Sequence, residues 1–243
     1  MVRPERTLSA ETPIAFGLQR RPLHLLCTRR IPSPTGPCDF AFPSTMQSLN
    51  LWVFQHLSLA PNTAMPLVDL VHAWAEAPLF VVPATLVVGW LMGGTRRRVA
   101  MLHATAAAFI ALGAAQVMGL LWPHPRPFAL GLSPLWSPHL NDSSFPSDHL
   151  TLLSAVATAW ACHPVTRRWA LAMALLAIPV AWARIALGLH FPADMLGALA
   201  AGGLGTISVD QCLRRPLLAL TRIGIASYRW LAGPLIARRY LRA

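Results

Sequence analysis

Seven side chains in three short stretches of this 243-residue chain are of types that together can move a phosphoryl group. The stretches are Arg126-Pro127, then Pro146-Ser147-Asp148-His149, then Arg184, His190 and Asp194 with five and three residues between them. Arginine forks grip phosphate oxygens, a histidine whose second ring nitrogen is held can attack phosphorus, and a second histidine can protonate what leaves. Histidine suits both tasks because its ordinary pKa lies near 6.5. Pro123, Pro125 and Pro127 stiffen the backbone around Arg126. Pro146 closes the preceding segment, so Ser147 or Asp148 is placed to cap a helix whose free amides face the same loop, an anion-binding arrangement. A spacing of four brings Asp194 within reach of His190, where a carboxylate can fix the ring tautomer.

Each stretch alone has a plainer reading: an arginine reaching for lipid headgroups, a cap followed by an interfacial histidine, and an ion pair beside a proline-started helix. Their shared location decides between the readings. The chain is 55% hydrophobic and 12% charged, against about 25% charged in an ordinary soluble domain. It cannot cover a surface with charge, so the bilayer must be its solvent. Net charge is +11 and every basic residue is arginine. Nucleic-acid binding is disfavoured as the source of that charge, because the arginines sit between apolar runs.

Five stretches can span as helices: about Pro66 to Met92, Val99 to Leu121, Ser147 to Cys162, Trp169 to Leu187 and Ala193 to Leu213. Leu49, Trp52, Val53 and Leu57 recur at helical spacing and predict a short interfacial helix before them, which as a sixth crossing would bring the arginine-rich N-terminus inside. Arginines cluster at 96–98, 167–168 and 214–215, all on one side, which the positive-inside rule makes cytoplasmic. All three chemical stretches then lie on the opposite face. Residues 1–45, with six arginines and a proline-rich run, read as a disordered or untranslated extension, with Met46 as an alternative start. Residues 46–213 form the membrane-embedded domain, and 214–243 read as a basic amphipathic segment on the inner leaflet. Cys162 and Cys212 fall in apolar runs and read as inert small hydrophobes. Asp69, His72 and Glu76 fall on the side of the three stretches and read as a wet helix end, with tuning of substrate entry as the alternative. No HExxH pattern, cysteine pair, Walker pattern or acidic cluster points to a metal or nucleotide, although His124, His139, His149 and His190 could in principle gather.

The three stretches resemble the motifs of the type 2 phosphatidic acid phosphatase superfamily, K-x6-RP, PSGH and SR-x5-H-x3-D. Here the lysine position holds Gly119, the PSGH glycine is Asp148, and the serine before Arg184 is Ala183. The wording around them (Leu121 to Phe128, Asp142 to His149, Gly188 to Gly197) is similar to the bacterial undecaprenyl-diphosphatase branch, the bacitracin-resistance type. The resemblance covers roughly residues 46–213. It implies an all-helical membrane bundle with an acid-phosphatase-like core, five or six crossings and no cofactor or metal. It implies that His190 is the nucleophile, Asp194 its orienting carboxylate and His149 the proton donor. Arg126, Arg184, Ser147 and the amides near Asp148 would hold the phosphate, with His124 as a stand-in for the lysine and Asp142 ordering the loop. The implied partners are membrane lipids and a polyprenyl diphosphate, hydrolysed outside the cytoplasm to recycle a cell-wall carrier. Phosphatidylglycerol phosphate, phosphatidic acid or a lipid A-type acceptor remain alternatives, and the oligomeric state stays open.

Overall fold

The computed structural model describes residues 44–136 and 142–237, and every regular element among them is helical. The expected N-terminal extension up to residue 43, and His139, lie outside the described residues. Helix α1 runs Ser44–Leu57, beginning just upstream of Met46. Helices α2 (Met65–Glu76) and α3 (Val81–Met92) are joined by a 3₁₀ turn, Ala77–Phe80. Then come α4 (Thr95–Leu121), α5 (Asp148–Ala161) and α6 (Arg167–Ala186), the last preceded by a short 3₁₀ turn. Helix α7 (Pro192–Ser208) passes through a π-helical segment, Val209–Leu213, into α8 (Arg214–Leu231), and α9 is Gly233–Ala237.

Among the described residues, four helical stretches are long and apolar enough to cross a membrane: Met65–Leu91, Thr95–Leu121, Pro164–Ala186 and Pro192–Leu231. Helix α5, the third expected span, is only 14 residues long, about 21 Å at 1.5 Å per residue. It sits inside the bundle, packed on α4, α6 and α7, with Leu150, Leu153, Val156, Ala159 and Trp160 buried. A helix lined by its neighbours need not match the bilayer itself.

Small residues hold the bundle together. Ala100, Ala104, Ala107 and Ala111 of α4 and Ala198, Ala201, Gly202 and Gly205 of α7 are buried, so backbones approach closely. The Ser154 hydroxyl donates to the Ala198 carbonyl at 3.0 Å, and the Thr158 and Thr206 hydroxyls share a hydrogen bond of 2.8 Å. A Cβ on Gly202 would meet the Ala155 backbone nitrogen at 2.6 Å, whereas one on Gly203 meets nothing within 4 Å. Gly202→Ala is therefore expected to push α5 and α7 apart and cost about 1–3 kcal/mol. Thermal unfolding in detergent would show the loss, with Gly203→Ala close to wild type.

The helix runs on past Arg214-Arg215, the expected end of the fifth span, through α8. Pro216 lacks the N–H that a regular turn would use, and the π-helical segment just before it accommodates that defect. Thr221, Ile225 and Tyr228, at spacings of four and three, form the buried face of α8. The Tyr228 hydroxyl donates to the Leu91 carbonyl at 3.2 Å, and the guanidinium of buried Arg98 lies 4.3 Å over the Tyr228 ring. Cys162 and Cys212 are exposed free thiols.

Candidate active site

Three local devices bring the cluster together at the end of the bundle away from the arginine-rich turns. The first ends α6. Gly188 takes φ +70°, its N–H bonds the Ile185 carbonyl at 2.9 Å, and the Leu189 N–H bonds the Arg184 carbonyl at 3.1 Å. This is a glycine-terminated helix end of the Schellman type. It folds the chain back so that Arg184 and His190 face one space. The second starts α7: Pro192 occupies the first turn, and Asp194 accepts the Phe191 N–H at 2.8 Å, half of a capping box. The third is the turn before α5, where Ser147 is the N-cap residue and His149 rides on the first turn.

His190 is 2% exposed. Its Nδ1 lies 2.7 Å from the Ser144 carbonyl oxygen and 3.5 Å from Asp194 Oδ2. A carbonyl can only accept, so Nδ1 carries the proton and Nε2 presents a bare lone pair. That lone pair faces two guanidiniums, Arg126 Nη1 at 3.3 Å and Arg184 Nη2 at 3.3 Å. Burial first, then the charges of Arg184 and Arg126, hold the ring well below the ordinary histidine value. It remains a neutral base at pH 7. The acceptor nearest Nδ1 is thus the backbone of Ser144; Asp194 stands behind it at longer range, fixed by the helix start.

Arg126 is held on every side. Its Nε donates to Asp142 Oδ1 at 2.9 Å, Nη2 lies 2.8 Å from the same oxygen and 3.3 Å from the Ser143 carbonyl, and Nη1 donates to the Leu189 carbonyl at 2.9 Å. Asp142 and two carbonyls therefore aim the fork, leaving its inner edge toward His190. Arg184, 3% exposed on α6, donates through Nη1 to Glu76 Oε1 at 2.5 Å. His149 Nε2 lies 3.0 Å from the other Glu76 oxygen and 3.5 Å from Arg184 Nη1. Ser147 is fully buried, and its hydroxyl has no partner among the described residues. The first amides of α5 have no intrahelical partner by the geometry of a helix start.

The structure thus gathers Arg126, Asp142, Ser147, His149, Arg184, His190 and Asp194. Two expected residues stand differently. The Asp148 carboxylate is exposed, and both its oxygens lie 3.0 Å from Gln116 Nε2, which donates to them; only its backbone belongs to the anion-binding helix start. The His124 ring packs at 4.5 Å against Trp122 and 5.5 Å against Phe145, with Nδ1 2.9 Å from the Trp122 carbonyl. Gly119, at the lysine position, faces Ser143: a Cβ added there would lie 3.3 Å from the Ser143 side chain. Among the described residues no three His, Cys, Asp or Glu side chains gather as a metal-binding set.

Glu76, expected on the catalytic side only as a wet helix end or a residue tuning substrate entry, is a direct partner of Arg184 and His149. Val68, Val71 and Ala75 of α2 bury against Ala183 and Ala186 of α6 and Leu187 just after it, which sets Glu76 opposite Arg184. Its only sequence signal was a carboxylate in an apolar run, a position that tends to mark function.

Comparison with known proteins agrees with this geometry. Residues 99–216 match the PAP2 superfamily. The Escherichia coli protein YbjG, which carries a provisional undecaprenyl-diphosphatase name, is 37% identical over 68% of this chain and 83% of its own length. The chain belongs to the PAP2 superfamily. The Bacillus subtilis undecaprenyl-diphosphatase BcrC is 33% identical over 45% of this chain and 56% of its own length. The crystal structure of Aquifex aeolicus LpxE superposes with a TM-score of 0.50 at 23% identity, covering 65% of this chain and 93% of that one, a likeness of fold. This PAP2 protein is a phosphatase and a multi-pass membrane protein.

Proposed function

We propose that this PAP2 phosphatase removes the terminal phosphate of undecaprenyl diphosphate at the periplasmic face of a bacterial inner membrane, through a phosphohistidine on His190. The observation that carries the reading is the bare Nε2 lone pair of His190 set between two arginine N–H groups. A terminal phosphate placed there meets the nucleophile and two of its oxygen clamps at once. Nε2 attacks phosphorus and the bond to the bridging oxygen breaks. The lipid phosphate leaves as His149 gives it a proton. Water then attacks the phosphohistidine while His149 takes its proton, and inorganic phosphate departs. Arg126, Arg184, the Ser147 hydroxyl and the first amides of α5 bind oxygens whose charge changes through both steps. The Ser144 carbonyl and Asp194 stabilise the proton on Nδ1.

A long apolar tail has a path on this surface. A groove of about 390 Å³ is lined by Ala73, Trp74, Ala77 and Pro78. It shares Val81 and Leu176 with a second groove of about 560 Å³ that reaches Ala84, Val88, Ala172 and Trp169. Both are lined by apolar side chains, as a polyprenyl chain requires. Ala172→Phe is expected to raise KM for undecaprenyl diphosphate about tenfold, roughly 1.4 kcal/mol, and to leave farnesyl diphosphate nearly unchanged. The periplasmic assignment rests on the arginine turns at 96–98 and 167–168, which lie at the other end of the bundle. The relatives named undecaprenyl-diphosphatase support the choice of lipid.

The test is phosphate release by the purified protein in detergent from a panel of undecaprenyl diphosphate, phosphatidylglycerol phosphate and phosphatidic acid, with a lipid A-type acceptor added in a parallel arm. The highest kcat/KM is expected for undecaprenyl diphosphate, with free phosphate as product. Preference for a glycerophospholipid, or transfer to the acceptor, would overturn the assignment.

A further inference from the structure

Glu76 occupies a place that the proposed chemistry gives to the substrate. Its Oε1 lies on Arg184 Nη1 at 2.5 Å and its Oε2 on His149 Nε2 at 3.0 Å. Those are one phosphate clamp and the proton donor. A carboxylate and a phosphate edge present two anionic oxygens at similar separation, so the same pair of donors accepts either. Both cannot be accommodated together: while Nε2–H of His149 bonds Glu76, that proton is not available to a leaving oxygen, and Arg184 Nη1 is turned from the His190 side toward α2. The other Arg184 nitrogen, Nη2, stays with His190. The cradle is therefore half filled by the protein's own anion.

We propose that Glu76 is an internal competitor for the phosphate cradle: it bridges Arg184 and His149 in the empty enzyme, yields to the substrate's phosphate, and returns to displace the inorganic phosphate left after hydrolysis. The inference rests on the reading of Arg184 and His149 as phosphate-facing groups. The placement supports withdrawal. Glu76 is the last residue of α2, its side chain is 38% exposed, and a 3₁₀ turn follows it directly, so a rotamer change moves the carboxylate outward without disturbing the buried Val71 and Ala75 face. Ala77, the next residue in the chain, lines an apolar groove. The consequence is chemical: a phosphatase that releases phosphate into a compartment where phosphate is free gains from a built-in anion that keeps the product from lingering.

The competition can be read with small anions alone. Inorganic phosphate and orthovanadate binding would be measured by thermal shift of the full-length protein in detergent, for wild type, Glu76→Gln and Glu76→Asp. An occupied cradle lowers apparent affinity by the fraction that is open, so removing the competitor is expected to tighten both anions about tenfold. Glu76→Asp keeps the charge but shortens the reach so that it cannot bridge both partners; it is expected to tighten them as well. Unchanged affinity in both variants overturns the proposal. Tightening in Glu76→Gln alone also overturns it, because that pattern is a field effect of lost charge rather than displacement. If Glu76→Gln does not fold, the aspartate variant decides alone. This readout needs no lipid turnover. Failure of the wild type to hydrolyse undecaprenyl diphosphate would sink the proposed function and leave the anion measurement interpretable.

Discussion

His190→Ala is expected to lower turnover of the lipid diphosphate by at least about 10⁴-fold, because no other described side chain presents a lone pair between Arg126 and Arg184. The alanine variant also leaves the Ser144 carbonyl without the donor it has at 2.7 Å, at a stability cost of about 1–3 kcal/mol. Lost activity in that variant could then be confused with lost fold. His190→Asn separates the two. Its amide nitrogen can take the place of Nδ1 and keep the bond to Ser144, while nothing replaces Nε2. Melting close to wild type with activity as low as in the alanine variant is the expected pair of results. Substantial activity in the asparagine variant would remove His190 as nucleophile.

Arg126 carries the second large effect. Its guanidinium does two jobs with different atoms. Nε and Nη2 tie Asp142 and the Ser143 carbonyl, while Nη1 ties the Leu189 carbonyl and faces His190. It therefore joins the loop before α5 to the turn before α7, and it clamps the phosphoryl group between them. Loss of a positively charged clamp on a transferred phosphoryl group is worth about 10³–10⁵ in rate, so Arg126→Ala is expected to lower kcat about 10³-fold. Lysine restores a charge but not the fork. Arg126→Lys is expected to recover no more than about tenfold of that loss, since one ammonium cannot satisfy Asp142, Leu189 and a phosphate oxygen together. Single-turnover rates against substrate concentration would check this, and full recovery by lysine would contradict the fork geometry.

Much of this site was legible in sequence because its chemistry is carried by rare side chains in an apolar background. Arg184 within a helix and His190 four residues before Asp194 could be noticed without coordinates. The arginine-rich turns fixed which ends of the helices lie together, and the Gly-Leu-His-Phe-Pro run contained the turn that α6 needs. What was not legible follows from physics that leaves no local mark. The acceptor for His190 Nδ1 is a backbone carbonyl, that of Ser144, and any residue type could supply it. Glu76 joins the site through the packing of α2 on α6, a contact between residues more than a hundred positions apart. The Asp148 carboxylate turns to Gln116, one turn of α4 before Gly119, so only the amides there face the anion site. The run Arg214-Arg215-Pro216 looked like a helix end, whereas a π-helical segment carries the helix through it.

The covalent step offers the most direct test. Wild-type protein mixed with undecaprenyl diphosphate labelled in its terminal phosphate, quenched within one turnover in alkali, should hold label stable to base and released by acid. Peptide mapping should place that label on His190. Protein that turns over the lipid while no labelled histidine forms, or whose label maps to a different residue, would contradict the account.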